Sequence, residues 1–256
     1  MFGFLVKKSF FDLWDNLFKS AFINIGFIFS LAWPLLFPFL FEGVPALFWA
    51  ALVSGVIWCF VYLSAASWAL KAVSDYGNFG FKDFIAALKN TALDGVIAGG
   101  LAVLFCLLGV YGIPFYLSID SPLGVIPAAL VFWTLVVMLL ALQFYFPVRN
   151  RLGRKPLTII KKCFLIFLDN PGFSIALCIT SLCIFLFSLV SILLFPGPAG
   201  LLLFHDEALR LRLLKYDWLE ENPEKGRKVP WAALLIDERE KTGTRSLKNF
   251  IFPWKD

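Results

Sequence analysis

The sequence predicts an all-α fold, a polytopic membrane helix bundle, and three observations predict it. Five stretches carry no Asp, Glu, Lys or Arg: residues 20–41, 43–70, 95–119, 121–148 and 170–204. The shortest has 22 residues, and a helix rising about 1.5 Å per residue crosses a hydrocarbon core of roughly 30 Å with about 20. The composition agrees, with 60% of the 256 residues hydrophobic and 30 of them Phe, well above the roughly 45–50% apolar share of soluble domains. Finally, an amphipathic segment precedes each of the three expected hairpins. The expected architecture is therefore three amphipathic-helix-plus-hairpin units, with five full spans and a short sixth segment.

In the first unit, Phe11, Trp14, Leu17 and Phe18 share one helical face, while Asp12, Asp15, Asn16 and Lys19 lie elsewhere. Asp15 and Lys19 have i,i+4 spacing and are expected to pair. The polar residues interrupt any signal-peptide core, so the first span is expected to be retained. Spans are predicted at about 21–41 and 45–70, the first kinked by Pro34 and Pro38.

The second unit repeats the pattern. Phe81, Phe84, Ile85 and Leu88 follow i, i+3, i+4, i+7 against Lys82, Asp83 and Lys89, which predicts an interfacial helix. Spans follow at about 95–118 and 123–148. Gly95 and Gly99, four residues apart, allow a neighbouring helix to approach closely. Gln143 is expected to be the most polar residue inside the four clean spans and to bond an adjacent helix.

In the third unit, Ile160, Cys163, Phe164 and Phe167 face away from Lys161 and Lys162. A span is expected over 172–193, broken by Phe195-Pro196-Gly197-Pro198 because proline lacks the helix donor. A short segment over 197–213 then returns the chain. The alternative is five spans with the tail on the outer side. Asp206 and Glu207 stand four and three residues before Arg210, the spacing for pairing within a helix.

This divides the chain into a membrane bundle at 1–214 and a charged cytoplasmic tail at 215–256. A charged linker is expected from Pro223 to Pro230 and a short helix from Trp231 to Lys241, stopped at Gly243. Phe250, Phe252 and Trp254 make the terminus apolar. They are expected to dock on the protein or the lipid surface, with a partner-binding peptide as the alternative.

The net charge of +5 gains meaning from its distribution. Arg149, Arg151, Arg154, Lys155, Lys161 and Lys162 crowd between the fourth and fifth stretches, opposed by Asp169 alone. Lys/Arg-rich short loops mark the cytoplasmic side, which also places Lys7, Lys8 and Lys19 inside and Glu42 and Asp120 outside. Topology accounts for the basic loop without nucleic acid.

Catalytic signatures are missing from the sequence. Cys59, Cys106, Cys163, Cys178 and Cys183 show no metal-site spacing or disulfide framework, His205 is the sole histidine, and no GxSxG, HExxH, Walker A or dinucleotide motif occurs. The chain is expected to be no enzyme and to need no metal or cofactor. The candidate functional or interaction positions are His205, Asp206, Glu207, Arg210, Gln143, Phe250, Phe252 and Trp254.

Asp83-Phe84 through Leu88-Lys89-Asn90, then Phe144-Tyr145-Phe146-Pro147-Val148, then the basic amphipathic segment ending Leu168-Asp169-Asn170, resemble the YesL-like family of bacterial integral membrane proteins. The resemblance covers roughly residues 10–215. It implies a multi-helix protein of the cytoplasmic membrane, acting as an accessory of carbohydrate uptake, and supplies no catalytic residues. The charged tail departs from the family pattern.

The expected function is a non-enzymatic membrane accessory or scaffold engaging the lipid bilayer and a membrane-protein partner or a second copy of itself. The alternative is a transporter or lipid-handling protein acting as an oligomer. That reading requires a cavity with a polar lining from Gln143, Ser54, Ser64 or Thr134. An enzyme would require two carboxylates brought together from Asp75, Asp83, Asp94 or Asp169.

Overall fold

The computed structural model describes residues 1–119, 121–153, 155–225, 229–243 and 245, so Phe250, Phe252 and Trp254 lie outside the described residues. Every regular element among the described residues is helical. Five helical segments are long and apolar enough to cross a membrane: Leu17–Phe41, Pro45–Ser74, Phe81–Leu117, Pro122–Leu142 and Pro171–Val190. Their outer faces carry bare apolar side chains such as Phe29, Leu130 and Val190. The chain forms an all-α, multi-pass membrane bundle with these faces toward lipid.

Helix α1 (Phe2–Asp15) leads through Asn16 into α2 (Leu17–Leu36). Pro34 lies inside α2, and Phe37–Phe41 continue it as a tighter 3₁₀ segment before the turn into α3 (Pro45–Ser74). Pro34 sets the helix against α3 at Gly55, where an added Cβ would lie 2.7 Å from the Pro34 nitrogen. The expected Asp15–Lys19 pair does not form. Lys19 donates to Asn16 and Asp15 accepts from Arg245, because the chain turns at Asn16 and the two residues belong to different helices.

The second amphipathic segment is not a separate interfacial helix. α4 (Phe81–Leu107) runs unbroken from it into the span and continues through a π-turn at Leu108–Gly112 into α5 (Ile113–Leu117). No Gly or Pro stands between Leu88 and Asp94 to stop it. Gly95 and Gly99 carry the α3–α4 contact. A Cβ at Gly95 would strike the Val61 backbone, and one at Gly99 would lie 2.9 Å from Ile57 Cα.

The fourth span is shorter than expected. α6 (Pro122–Leu142) stops at Gln143, and α7 (Tyr145–Leu152) starts a new helix. Pro147 explains the break: it has no N–H to offer, and its ring would clash with the carbonyl of residue 143 in a continuous helix. α8 (Pro156–Asp169) then lies across to α9 (Pro171–Val190).

The return arm over 197–213 is the first part of α10 (Gly197–Glu221), which continues past the expected boundary at 214. α10 packs against α1, α2, α3, α7 and α9 and is buried at Gly200, Leu203, Phe204, Ala208, Leu209 and Leu211. Its start is inside the bundle. Asn24 Nδ2 donates to Leu194 O and Pro196 O at 2.9 Å each, and Asn24 Oδ1 accepts from Ala199 N at 2.8 Å. Asn24 is about 10 Å along α2 from Leu17 and about 25 Å short of Phe41. The α9–α10 turn therefore meets the first span well before its Phe41 end.

The expected helix over Trp231–Lys241 occurs as two pieces, α11 (Trp231–Leu234) and α12 (Ile236–Thr242), followed by Gly243 at φ 79°. Leu235 between them is fully buried. These helices fold back onto the bundle.

Candidate functional site

The densest polar cluster gathers where α1, α3, α7, α10 and α12 meet. α1 supplies Lys8, Ser9 and Asp12. The end of α3 supplies Ser74 and, just beyond it, Asp75 and Tyr76. Arg151 comes from α7, Asp206, Glu207 and Arg210 from α10, and Glu238 from α12. Placing Asp206 and Glu207 on consecutive α10 positions turns them about 100° apart, so each faces a different neighbour.

Asp206 is fully buried and accepts from Arg151 Nε at 3.2 Å and from its terminal nitrogen. Arg151 also donates to Ser74 Oγ at 3.1 Å and Asp75 at 2.9 Å. Glu207 points the other way, accepting from Ser9 Oγ and lying 3.4 Å from Lys8 Nζ. Lys8 is itself almost wholly buried. It donates to Asp12 and to Ser74 O, the latter at 3.3 Å, and stands 4.3 Å over the Tyr76 ring.

Burial alone would lower the Lys8 pKa. The carboxylates of Glu207 and Asp12 outweigh it, and the ammonium is held above its ordinary value. Asp75 shows the converse: burial pulls it up, yet the Lys71 hydrogen bond and the Arg151 charge bring it below the usual range.

The expected pairing of Asp206 and Glu207 with Arg210 does not occur. Arg210 donates to Glu238 at 2.7 Å and to Ser74 O, and approaches Asp75 at 3.6 Å. The physical reason is competition. Partners on other helices reach the buried carboxylates, while Arg210, less buried, faces the tail. Tyr76 completes this link by donating to Glu238 Oε2 at 2.8 Å. The last described helix is thus clamped to α3 and α10.

His205 stands apart from the cluster. Its Nε2 is 2.8 Å from Ser181 Oγ on α9. It shares a cavity of about 370 Å³ with Gln143, between α3, α4, α6, α7 and α10. Of the four polar residues expected to line a cavity, Gln143 does so. Ser54 bonds Ala51 O, Ser64 bonds Thr91 O and Thr134 bonds Leu130 O, each outside that lining. Gln143 bonds the neighbouring helix as expected, donating to Ser174 O at 3.0 Å.

The four carboxylates required for an enzymatic pair are dispersed. Asp75 serves Lys71 and Arg151, Asp94 takes Arg149 Nε at 2.8 Å, Asp169 takes Lys215 at 2.8 Å, and Asp83 accepts from Gly80 N at 2.8 Å. They do not face one another. Three cations, Lys8, Arg151 and Arg210, hold five carboxyl groups, Asp12, Asp75, Asp206, Glu207 and Glu238, and the arrangement has the geometry of a structural clamp.

Comparison with known proteins returns no matching family model, no matching curated protein and no matching solved structure.

Sequence reasoning overlooked Asn24, a second amide inside a clean span that equals Gln143 in polarity. Its position in an uncharged stretch was the available signal. Lys8 offered its i,i+4 spacing to Asp12, but its second partner and those of Arg151 and Glu238 are remote in the chain: 199 positions separate Lys8 from Glu207 and 55 separate Arg151 from Asp206.

Proposed function

We propose that this protein is a non-enzymatic accessory or scaffold of the bacterial cytoplasmic membrane, with its N-terminus and tail on the cytoplasmic side. The observation that carries the reading is the clamp itself. Lys8, Arg151 and Arg210 tie α1, α7, α10 and α12 together through buried or half-buried ion pairs and hold the end of α3 by hydrogen bonds to Ser74. Buried ion pairs contribute little net stability but penalise misplacement, because an orphaned partner costs about 3–5 kcal/mol. Such a clamp holds the tail in a fixed relation to the membrane helices, which a partner-holding role needs.

The Lys/Arg-rich segment at 149–162 supports the cytoplasmic assignment. The resemblance of Leu88-Lys89-Asn90, Phe144–Val148 and Leu168-Asp169-Asn170 to the YesL-like family supports a place beside a transport complex, with carbohydrate uptake as the candidate process.

Affinity purification in mild detergent tests the proposal. The full chain is expected to bring down the same membrane-transport subunit in repeated preparations. Arg210→Glu should lose it, and the exchange Arg210→Glu with Glu238→Arg should regain it. Recovery of the protein alone, with and without its tail, would refute the accessory role.

A further inference from the structure

The cavity holding Gln143 and His205 has an unmet polar requirement. Gln143 Nε2 donates to Leu140 O at 2.7 Å and Ser174 O at 3.0 Å. Turning the amide over would set its oxygen against two carbonyl oxygens, so the orientation is fixed by its partners. Gln143 Oε1 is buried and has no hydrogen-bond partner among the described residues. An unpaired buried acceptor is costly, and the cost is higher in a membrane, where water is scarce.

The rest of the cavity is shaped for an apolar chain. Ala98 and Cys106 on α4 both line it, and their separation of eight residues corresponds to about 12 Å along that helix. Phe105 and Met138 add apolar wall, and no Lys or Arg contributes to the lining. Cys106 and Leu139 are exposed on the lipid-facing side, so the cavity opens laterally. Its polar end points toward the charged layer. Ala98 is one turn beyond Asp94, which binds Arg149, and Asp94 O accepts from Tyr145 at 3.3 Å.

From this we infer that the cavity binds one uncharged, single-chain amphiphile with a hydroxyl head, of the long-chain alcohol or monoacylglycerol class. The hydroxyl lies at the Gln143–His205 end and donates to Gln143 Oε1 after a small turn of the amide that opens this closed-off oxygen to the cavity, and the chain lies between α4 and α6 toward Phe105 and Cys106. A charged head is disfavoured because no Lys or Arg among the described residues lines the cavity, and Arg149, one helical turn past Tyr145, is already taken by Asp94 and Asn150. The cavity volume fits one chain, since ligand pockets commonly fall within about 300–1,000 Å³. This site is independent of the accessory role and stands or falls without it.

The test is photo-crosslinking of the detergent-purified full chain with a diazirine-bearing monoacylglycerol, followed by peptide mapping. Adducts are expected within 98–106 or 138–146. Unlabelled monoacylglycerol should compete, whereas a fatty acid or phosphatidylglycerol at the same concentration should not. Ala102→Trp, which fills the cavity, should abolish labelling. Gln143→Met should weaken it roughly fivefold, the loss of one neutral hydrogen bond, and Leu130→Trp on the outer face should leave it unchanged. Adducts elsewhere, unchanged labelling of a monodisperse Ala102→Trp protein, or equal competition by the charged lipids would each overturn the proposal. If Ala102→Trp does not fold, the competition and Gln143→Met results decide between the same two outcomes.

Discussion

Asp206 answers Arg151, and the same guanidinium reaches Ser74 and Asp75. Replacing Arg151 by Met would leave Asp206 buried without its cation. A loss of about 3–5 kcal/mol is expected, read as a lowered midpoint of unfolding in detergent. Adding Asp206→Asn should restore part of it, because no buried charge then lacks a partner. Asp169 provides a pH-dependent counterpart. The Lys215 hydrogen bond holds it below its ordinary pKa despite partial burial. A depressed carboxylate contributes stability that is present above its unfolded pKa and is lost as pH falls through the folded one. Acid titration of the midpoint should therefore show a falling limb below the usual carboxylate range, and Asp169→Asn should flatten it. Equal acid limbs in both proteins would exclude this pair as the cause. These residues were readable as charged, but their partners were not. A hydropathy profile places each charge along the chain and says nothing of which distant helix will face it.

The elements themselves were more legible. Spans over Pro45–Ser74 and Pro171–Val190 follow from runs of uncharged sequence long enough to cross, and the Gly95–Gly99 spacing did announce a close helix contact. Gly95→Leu should separate α3 from α4 and cost at least ~1–3 kcal/mol of overpacking strain, measurable as a lower unfolding midpoint. The interrupted fourth span was harder to foresee, since Gln143 to Phe146 read as uncharged continuation, and the break depends on where Pro147 falls relative to the residue four before it. The α9–α10 turn depended on an amide from another unit. Ile192 and Leu193 adopt φ 54° and 62°, unfavourable for side chains of their shape. They are held by Leu193 N to Ser188 O at 2.7 Å and by Asn24 on the following residues. Asn24→Leu removes three hydrogen bonds from buried or half-buried backbone groups. It should cost on the order of 3 kcal/mol and expose 191–196 to limited proteolysis in detergent; an unchanged cleavage pattern would count against this role.

For the molecule as a whole, composition and charge sufficed for an all-α membrane bundle. They could not show that its tail belongs to the folded body, since Arg210, Tyr76 and Glu238 meet only after α3, α10 and α12 are packed. The sidedness of that tail follows from the proposed orientation. A single cysteine at Lys241, in a background lacking the native ones, should react with an impermeant maleimide only after the cells are opened. Labelling of intact cells would reverse the orientation and remove the cytoplasmic partners considered above.

The capping of α10 by Asn24 bears on how the chain is made. Gly197 to His205 is nine residues without a charge, and Asp206 and Glu207 follow at once. A segment so short cannot partition into lipid unaided when each central acidic group costs roughly 2.5–3.5 kcal/mol. The groups that satisfy it, Asn24 and Lys8, leave the ribosome long before it does. On the proposed orientation the first helices are expected to act as a waiting template that draws the last arm in after synthesis. Removing α1, and Lys8 with it, should leave α10 unpacked while the five longer spans still insert, read as new protease cleavage within 197–213 in detergent.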